Sequence, residues 1–225
     1  YCILSADTSP ALGGDILKTG GITTMDLIQR NKDASYLKFD KYVNYDDPAV
    51  KAKAFELTKG LTEPIDKIEK IYYFVRDEIY HTWDTKDDII TISASDVLEK
   101  KTGMSYAKAN LLAALMRANG IYTGFCYQRI KHFSSSNKLA LHALNAVYEP
   151  NLKRWIRLDA RGNNYEFNAD FSLNERNLGY KIRPELGEFE FNDLIAVPLP
   201  STMAALERNT NAMYMFFNDL PDYDS

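Results

Sequence analysis

Apolar residues recur at helical spacing from about residue 47 onward and predict a block of helices. Asp47 and Pro48 together mark a helix start, and Gly60 ends a helix of about twelve residues. A second helix begins at Thr62 and Pro64, where apolar residues recur every three or four positions along one face. These two segments predict a helical pair.

Two further helices are predicted before the pattern changes. Ser95 is expected to cap a short helix that Gly103 breaks. Residues 105–119 read SYAKANLLAALMRAN, are apolar on nearly every side and stop at Gly120. Because a helix that is apolar all round is typical of a protein interior, we expect it to be the buried central helix.

After Gly120 the apolar period falls from about four residues to about two. A helical block followed by a strand meander is typical of the α+β class, and no alternating strand–helix pattern indicates a doubly wound sheet. The meander is predicted as antiparallel strands at residues 122–130, 139–148 and 154–159. Further along, the pattern predicts a strand near 188–191 and helices near 201–208 and 211–217.

Composition and charge exclude several classes of function. The chain has 225 residues, of which 45% are apolar and 26% charged, as expected for a soluble globular protein. Its 27 Lys and Arg face 31 Asp and Glu, a net charge of -4, so we predict no nucleic-acid partner. The most apolar run, residues 111–116, is too short to cross a bilayer, and we predict no membrane span.

Cysteine usage bears on the compartment. Only Cys2 and Cys126 occur, which makes a disulfide framework improbable and favours a reducing compartment. The chain opens at Tyr1 and shows no basic-then-apolar leader. We therefore expect a cytoplasmic location.

Ser105 is the first candidate for chemistry, because it stands where the predicted central helix begins. Unpaired N–H groups and the positive end of the helix dipole favour negative charge at such a position. A serine there can act as a nucleophile beside an oxyanion site. A serine at a helix start is more often simply a cap, and the position alone does not separate the two interpretations.

His142 and Asp159 are predicted to lie on neighbouring strands and on the same face of the sheet. A two-residue turn at Pro150 and Asn151 would put the two residues directly opposite each other, with Cβ atoms about 5 Å apart. A four-residue loop would instead put Asp159 opposite Leu144, one diagonal place away. In either register the carboxylate can orient the imidazole, although a half-buried His hydrogen-bonded to an Asp with a purely structural role is the simpler interpretation of the pair taken alone.

Four sequence strings now resemble a known family. KTGMSYAKANLLAALMRANGI, GFCYQR, LHALNAVY and RWIRLDARGN, in this order, are similar to the bacterial branch of the transglutaminase-like superfamily, whose fold is similar to that of papain-type cysteine proteases. In that family Gly-x-Cys opens the long helix, a His begins the second strand of the meander and an Asp ends the third. The resemblance implies an α+β papain-like fold, with a helical block and buried central helix packed on an antiparallel sheet.

The resemblance also implies a domain organisation. It covers residues 62–162 strongly and the flanks more loosely. We therefore predict a single domain over residues 1–225. Its parts are an N-terminal arm at 1–45, the catalytic core at 62–162 and a C-terminal extension at 163–225.

Carried over by position, the resemblance implies Ser105 as the nucleophile, His142 as the base and Asp159 as the orienting carboxylate. This sequence departs from the family at Ser105, where the family has Cys. A thiol beside a His can ionise near neutral pH, whereas a hydroxyl must lose its proton during attack. Three explanations stay open: a Cys-to-Ser change made to silence an enzyme, a natural pseudoenzyme, and a natural Ser nucleophile.

Three more residues are candidates for the oxyanion side or the cleft. Trp83 lies in a run that resembles the Trp-Asp segment of animal transglutaminases, where an indole N–H helps to hold the oxyanion, although a packed Trp is the simpler interpretation. Gln128, with its neighbour Tyr127, could line the cleft from the strand after the central helix. Tyr106 follows the nucleophile position directly.

The expected function is transglutaminase-like acyl transfer or amide or peptide hydrolysis through a Cys(Ser)-His-Asp triad, impaired by Ser105. The alternative is a catalytically silent domain that binds a peptide or protein, and a third reading is an amidase or esterase with a working Ser. We expect a peptide, protein or small amide substrate, no cofactor and no metal site, because the histidines and cysteines lack metal-ligand spacing. The oligomeric state stays open.

Overall fold

The computed structural model describes residues 27–131, 138–164, 167–173 and 177–222. Residues 1–26, the greater part of the predicted arm, lie outside the described residues. The described helices are α1 (Pro48–Thr58), α2 (Pro64–Asp77), α3 (Thr82–Thr85), α4 (Ala94–Lys100), α5 (Ser105–Ala118), α6 (Pro200–Arg208) and α7 (Ala212–Asn218). The strands are β1 (Ile28–Gln29), β2 (Tyr80–His81), β3 (Thr102–Gly103), β4 (Thr123–Lys131), β5 (Leu139–Glu149), β6 (Arg154–Leu158), β7 (Phe189–Glu190) and β8 (Asp193–Leu194).

The helix starts follow local capping chemistry. Asp47 caps α1 by accepting hydrogen bonds from the N–H groups of Ala49 and Val50. The prediction that Ser95 caps α4 is wrong. Ser93 is the cap, because Ser93 and Asp96 form a reciprocal capping box that satisfies two N–H groups at once.

The central sheet has four antiparallel strands in the order β6–β5–β4–β7. Glu149 pairs with Arg154, so the β5–β6 loop holds four residues and Lys153 takes a left-handed φ of 51°. Extending this register puts Asp159 opposite Leu144 and diagonal to His142. The two-residue turn is therefore wrong and the four-residue loop is confirmed, since proline fits poorly in a tight hairpin turn.

The two faces of the sheet are both covered. One face, which carries Phe125, Tyr127 and Val147, packs with the fully buried leucines of α5 into the main core. The other face, which carries Cys126 and Leu144, forms a smaller cluster with side chains of the N- and C-terminal segments. Because α5 is buried on almost every side, the predicted central helix packed on an antiparallel sheet is confirmed.

Two short parallel strands position the start of α5. In the pairing of β2 with β3, His81 stands beside Gly103, two residues before the helix begins. The C-terminal segment closes the opposite side, where the Leu141 N–H donates to the Pro221 carbonyl at 2.9 Å. The helix tip, the sheet and the C-terminal segment thus meet around one small space.

Candidate active site

The first turn of α5 presents Ser105 together with free backbone donors. Met104 is the cap residue and makes no side-chain capping bond, and the first bond within the helix runs from the Lys108 N–H to the Met104 carbonyl at 2.9 Å. The N–H groups of Ser105, Tyr106 and Ala107 therefore have no acceptor inside the helix. Ser105 is the first helical residue and does not cap the helix.

Ser105 and His142 line the same cavity, which has a volume of about 40 Å³. Tyr106 and His81 contribute to its walls near the helix tip. Tyr180, Phe216 and Leu220 line it from the C-terminal part of the chain. A space of this size holds only a few water molecules, and it is partly open to the surface.

His142 and Asp159 form a buried pair. The His142 Nε2 atom lies 3.0 Å from the Asp159 carboxylate, and Asp159 is fully buried. The carboxylate also accepts the N–H groups of Arg161 at 3.1 Å and Gly179 at 2.9 Å. Burial alone raises the pKa of Asp159, but the charge and hydrogen bond of His142 and these two donors outweigh it and hold the pKa below its ordinary value.

The hydrogen bond to Asp159 assigns the role of each ring nitrogen in His142. An ionised carboxylate only accepts, so Nε2 carries a hydrogen, and in the neutral ring Nδ1 is the nitrogen that holds the lone pair. Nδ1 is the nitrogen that a base uses. In the described part of the chain, no hydrogen bond joins the Ser105 hydroxyl to this ring. Such contacts are often long before substrate binds and tighten in the reacting complex.

Residues 51–160 match the family model described as the transglutaminase-like superfamily. The chain contains a transglutaminase-like domain. The predicted α+β fold of the transglutaminase core is confirmed by this match together with the helix-on-sheet architecture.

Solved structures and curated proteins add little beyond this. A proposed cysteine protease from Cytophaga hutchinsonii is similar at 19% identity with a TM-score of 0.48, over 57% of this chain and 42% of that one. The periplasmic domain of TgpA from Pseudomonas aeruginosa is similar at 17% identity with a TM-score of 0.43, over 58% of this chain and 48% of that one. This chain thus spans less than half the length of either. No curated protein matches it.

An aromatic and ionic cluster in this transglutaminase-like domain supports the imidazole ring of His142. The Tyr180 ring contacts His142 edge to face, with the ring centroids 4.6 Å apart. The Tyr180 hydroxyl accepts a hydrogen bond from Arg161 at 3.2 Å, and Arg161 in turn makes a two-pronged ion pair with Asp84 at 2.8 and 2.9 Å. This cluster restricts rotation of the ring, since Tyr180 is itself held in place.

Of the additional predicted residues, the structure brings Tyr106 to the cavity, where its hydroxyl donates to the Leu141 carbonyl at 2.7 Å. Trp83 stacks on Phe216 with centroids 4.2 Å apart and is not among the lining residues. Gln128 lies beside His142 in the strand register and donates to Glu190 at 2.8 Å.

Five residues of the site were not predicted from the sequence: His81, Gly179, Tyr180, Phe216 and Leu220. Each reaches the site through a long-range contact that no local pattern encodes. Tyr127, weighed as a cleft residue, bonds the Leu199 N–H on the side of the main core.

The described residues also bear on metal binding and on membrane insertion. In that part of the chain, no three His, Cys, Asp or Glu side chains are grouped so that they could hold a metal ion. None of its helices is both long enough and apolar enough to pass through a bilayer. The cytoplasmic location stays a prediction.

Proposed function

We propose that this domain carries out acyl transfer or amide hydrolysis of the transglutaminase-like type, with Ser105 as nucleophile, His142 as base and Asp159 as orienting carboxylate. One observation carries the proposal: Ser105 and the Asp159-bonded His142 line a single cavity at the free N–H groups of a buried helix. These are the parts that an acyl-transfer site requires.

The reaction would proceed in two halves. The Ser105 oxygen attacks a carboxamide or peptide carbonyl and its proton passes to Nδ1 of His142, while the N–H groups of α5 hold the oxyanion. The C–N bond then breaks, and the leaving amine takes the proton from His142. Water or an incoming amine attacks the acyl-enzyme with the same base, which restores the Ser105 hydroxyl.

The residue at position 105 sets the expected rate. A thiol paired with an imidazole exists largely as thiolate, whereas the hydroxyl must be deprotonated within each attack. We therefore expect the present chain to be slow and the Ser105→Cys variant to be faster. Errors of about 1 Å in the position of an attacking atom can cost about 100-fold in rate.

Thiol alkylation tests the site without knowledge of the substrate. Ser105→Cys is treated with iodoacetamide at pH 6, and the modified peptide is followed by mass spectrometry. Ala49→Cys is the matched control, because it puts an exposed thiol in the first turn of α1, a helix that contains no histidine. We expect the thiol at 105 to react at least about tenfold faster than the control, since ionisation outweighs the lower nucleophilicity of the thiolate.

The dependence on His142 decides the outcome. His142→Ala in the Ser105→Cys background should abolish the advantage over the Ala49→Cys control. If the thiol at 105 reacts no faster than the control, or reacts equally fast without His142, the pair is not poised for chemistry and the proposal fails.

The second candidate is a domain that binds a peptide or partner protein without reaction. One observation favours it: position 105 holds Ser where the family that the chain resembles has the reactive Cys. An organophosphonate that modifies Ser105 in the present chain would exclude this candidate and indicate a working Ser nucleophile.

A further inference from the structure

We infer that His81 is an additional catalytic residue of this site, and that its Nε2–H donates a hydrogen bond to the oxyanion formed when residue 105 attacks a carbonyl. The inference deepens the proposed function and rests on it. Its starting observation is that a second imidazole, besides His142, lines the same cavity as Ser105.

The backbone holds His81 close to the start of α5. The parallel pairing of β2 and β3 sets His81 beside Gly103, two residues before Ser105. The His81 residue is 8% exposed, so the ring is largely enclosed by protein and is accessible at the cavity. A polar ring in such a position serves either to satisfy a neighbour or to contact a ligand.

The partner of Nδ1 assigns the tautomer of His81. The Trp83 N–H points at Nδ1 over 3.2 Å, so Nδ1 accepts and must keep its lone pair. The ring hydrogen is therefore on Nε2. Across the residues that the structure describes, no group accepts a hydrogen bond from Nε2, although backbone satisfies the other nitrogen.

Electrostatics keep this ring neutral. Burial lowers the pKa of His81 well below its ordinary value, and the positive charges of Arg161 and Lys108 lower it further. The same charges favour an anion in the cavity. A neutral imidazole with a fixed N–H can polarise a carbonyl oxygen without giving up its proton, as electrophilic histidines in other enzymes do.

The two histidines of the cavity have complementary roles. His142 bonds Asp159 through Nε2, so its neutral form has a lone pair on Nδ1, which suits it to take a proton. His81 uses its lone pair on the Trp83 N–H and keeps a hydrogen on Nε2, which suits it to donate. In the acylation step the proton passes from residue 105 to His142 and then to the leaving group, while His81 gains and loses none.

Two reagents distinguish whether His81 donates a hydrogen bond to an oxyanion or only supports the structure of the site. In the Ser105→Cys variant, p-nitrophenyl acetate acylates the thiol through a tetrahedral oxyanion, whereas iodoacetamide alkylates it by direct displacement with no oxyanion. His81→Leu should lower the acylation rate about 100-fold, the usual effect of losing one oxyanion donor. The alkylation rate should change less than about threefold, so the ratio of the two rates carries the result.

A conservative variant and a matched comparison sharpen the test. His81→Gln retains an N–H donor and should recover part of the acylation rate lost in His81→Leu. His142→Ala should lower both rates, because the base acts on the thiol itself. A parallel fall of both rates in His81→Leu, or no fall in acylation, would overturn the role of His81. A failure of the proposed function itself would give a different result: the alkylation rate of the Ser105→Cys thiol would then be the same with and without His142.

The tautomer is tested on the unmodified chain. Nitrogen-15 NMR of labelled histidine side chains should show His81 as neutral with its hydrogen on Nε2 at pH 6, unchanged by removal of the hydroxyl in Ser105→Ala. A hydrogen on Nδ1, or a doubly protonated ring at that pH, would contradict the inference whatever the activity of the protein.

Discussion

Asp159→Asn removes the charge that orients His142 while it preserves the shape of the side chain. One oxygen of Asp159 accepts the His142 ring and the Gly179 N–H, and the other accepts the Arg161 N–H. An amide offers only one acceptor oxygen. Whichever way the amide turns, at least one buried donor must face its NH₂ group.

The stability lost in Asp159→Asn follows from the number of buried donors that lose their acceptor. With the amide oxygen turned toward His142 and Gly179, only the Arg161 N–H loses its acceptor. A buried donor left unsatisfied costs about 1–3 kcal/mol, and the remaining bonds lose their charge assistance. We expect the free energy of unfolding at pH 7 to fall by about 2 kcal/mol, which lowers the urea midpoint by about 1 M at a typical denaturant slope.

The direction of the pKa shift of Asp159 determines how the stability difference between the two proteins changes with pH. Because the pKa of Asp159 in the folded chain lies below the ordinary value of 3.8, its ionised form stabilises the fold above that pH. This contribution is lost as the pH falls from 3.8 through the folded pKa. The stability difference between the unmodified chain and Asp159→Asn should therefore be full at pH 7 and pH 5 and smaller at pH 3.

Urea unfolding followed by circular dichroism at these three pH values measures the difference directly. Other carboxyl groups titrate in both proteins and cancel in the comparison. A difference that stays constant down to pH 3, or that is absent at pH 7, would refute the reasoning that an ionised Asp159 holds three donors.

Three other predictions use the same surroundings. Gly179→Ala would put a Cβ atom 2.9 Å from the Asp159 carboxylate, so thermal unfolding should show a loss of about 1–3 kcal/mol, and an unchanged melting temperature would contradict this close approach. Burial, followed by the charge of Arg161, lowers the pKa of Lys108 from its ordinary value of 10.5 to about 7. Between these two pH values the unfolded chain therefore binds more protons than the folded chain. The unmodified chain should therefore gain stability relative to Lys108→Met from pH 7 to pH 10 in urea titrations, and a constant difference would show that Lys108 stays charged. Arg129→Ala breaks the ion pair with Asp222 that holds the C-terminal segment beside the cavity. Iodoacetamide should then label the Ser105→Cys thiol up to about fivefold faster, and equal rates would show that this segment does not limit access.

Much of the fold could be predicted because its signals are local. Asp47, Pro48 and Gly60 mark the ends of α1 through capping and backbone geometry alone, and the apolar face of α2 shows in its spacing. The strand meander likewise follows from the change of period. The cap of α4 was misassigned because Ser93 and Ser95 both have the chemistry of a cap, and only the reciprocal bond with Asp96 distinguishes them.

The candidate site, like the fold, could be predicted only in part from the sequence. By itself the sequence determined that Ser105 opens a buried helix and that His142 and Asp159 share a face of the sheet, because both follow from element periodicity. Only the tertiary structure decided the β5–β6 register, the lining of the cavity by Tyr180 and the C-terminal segment, and the position of His81 at that cavity. These depend on pairing between segments far apart in the chain, such as the two-residue strands β2 and β3, whose stability comes from packing and leaves no periodic signal in the sequence.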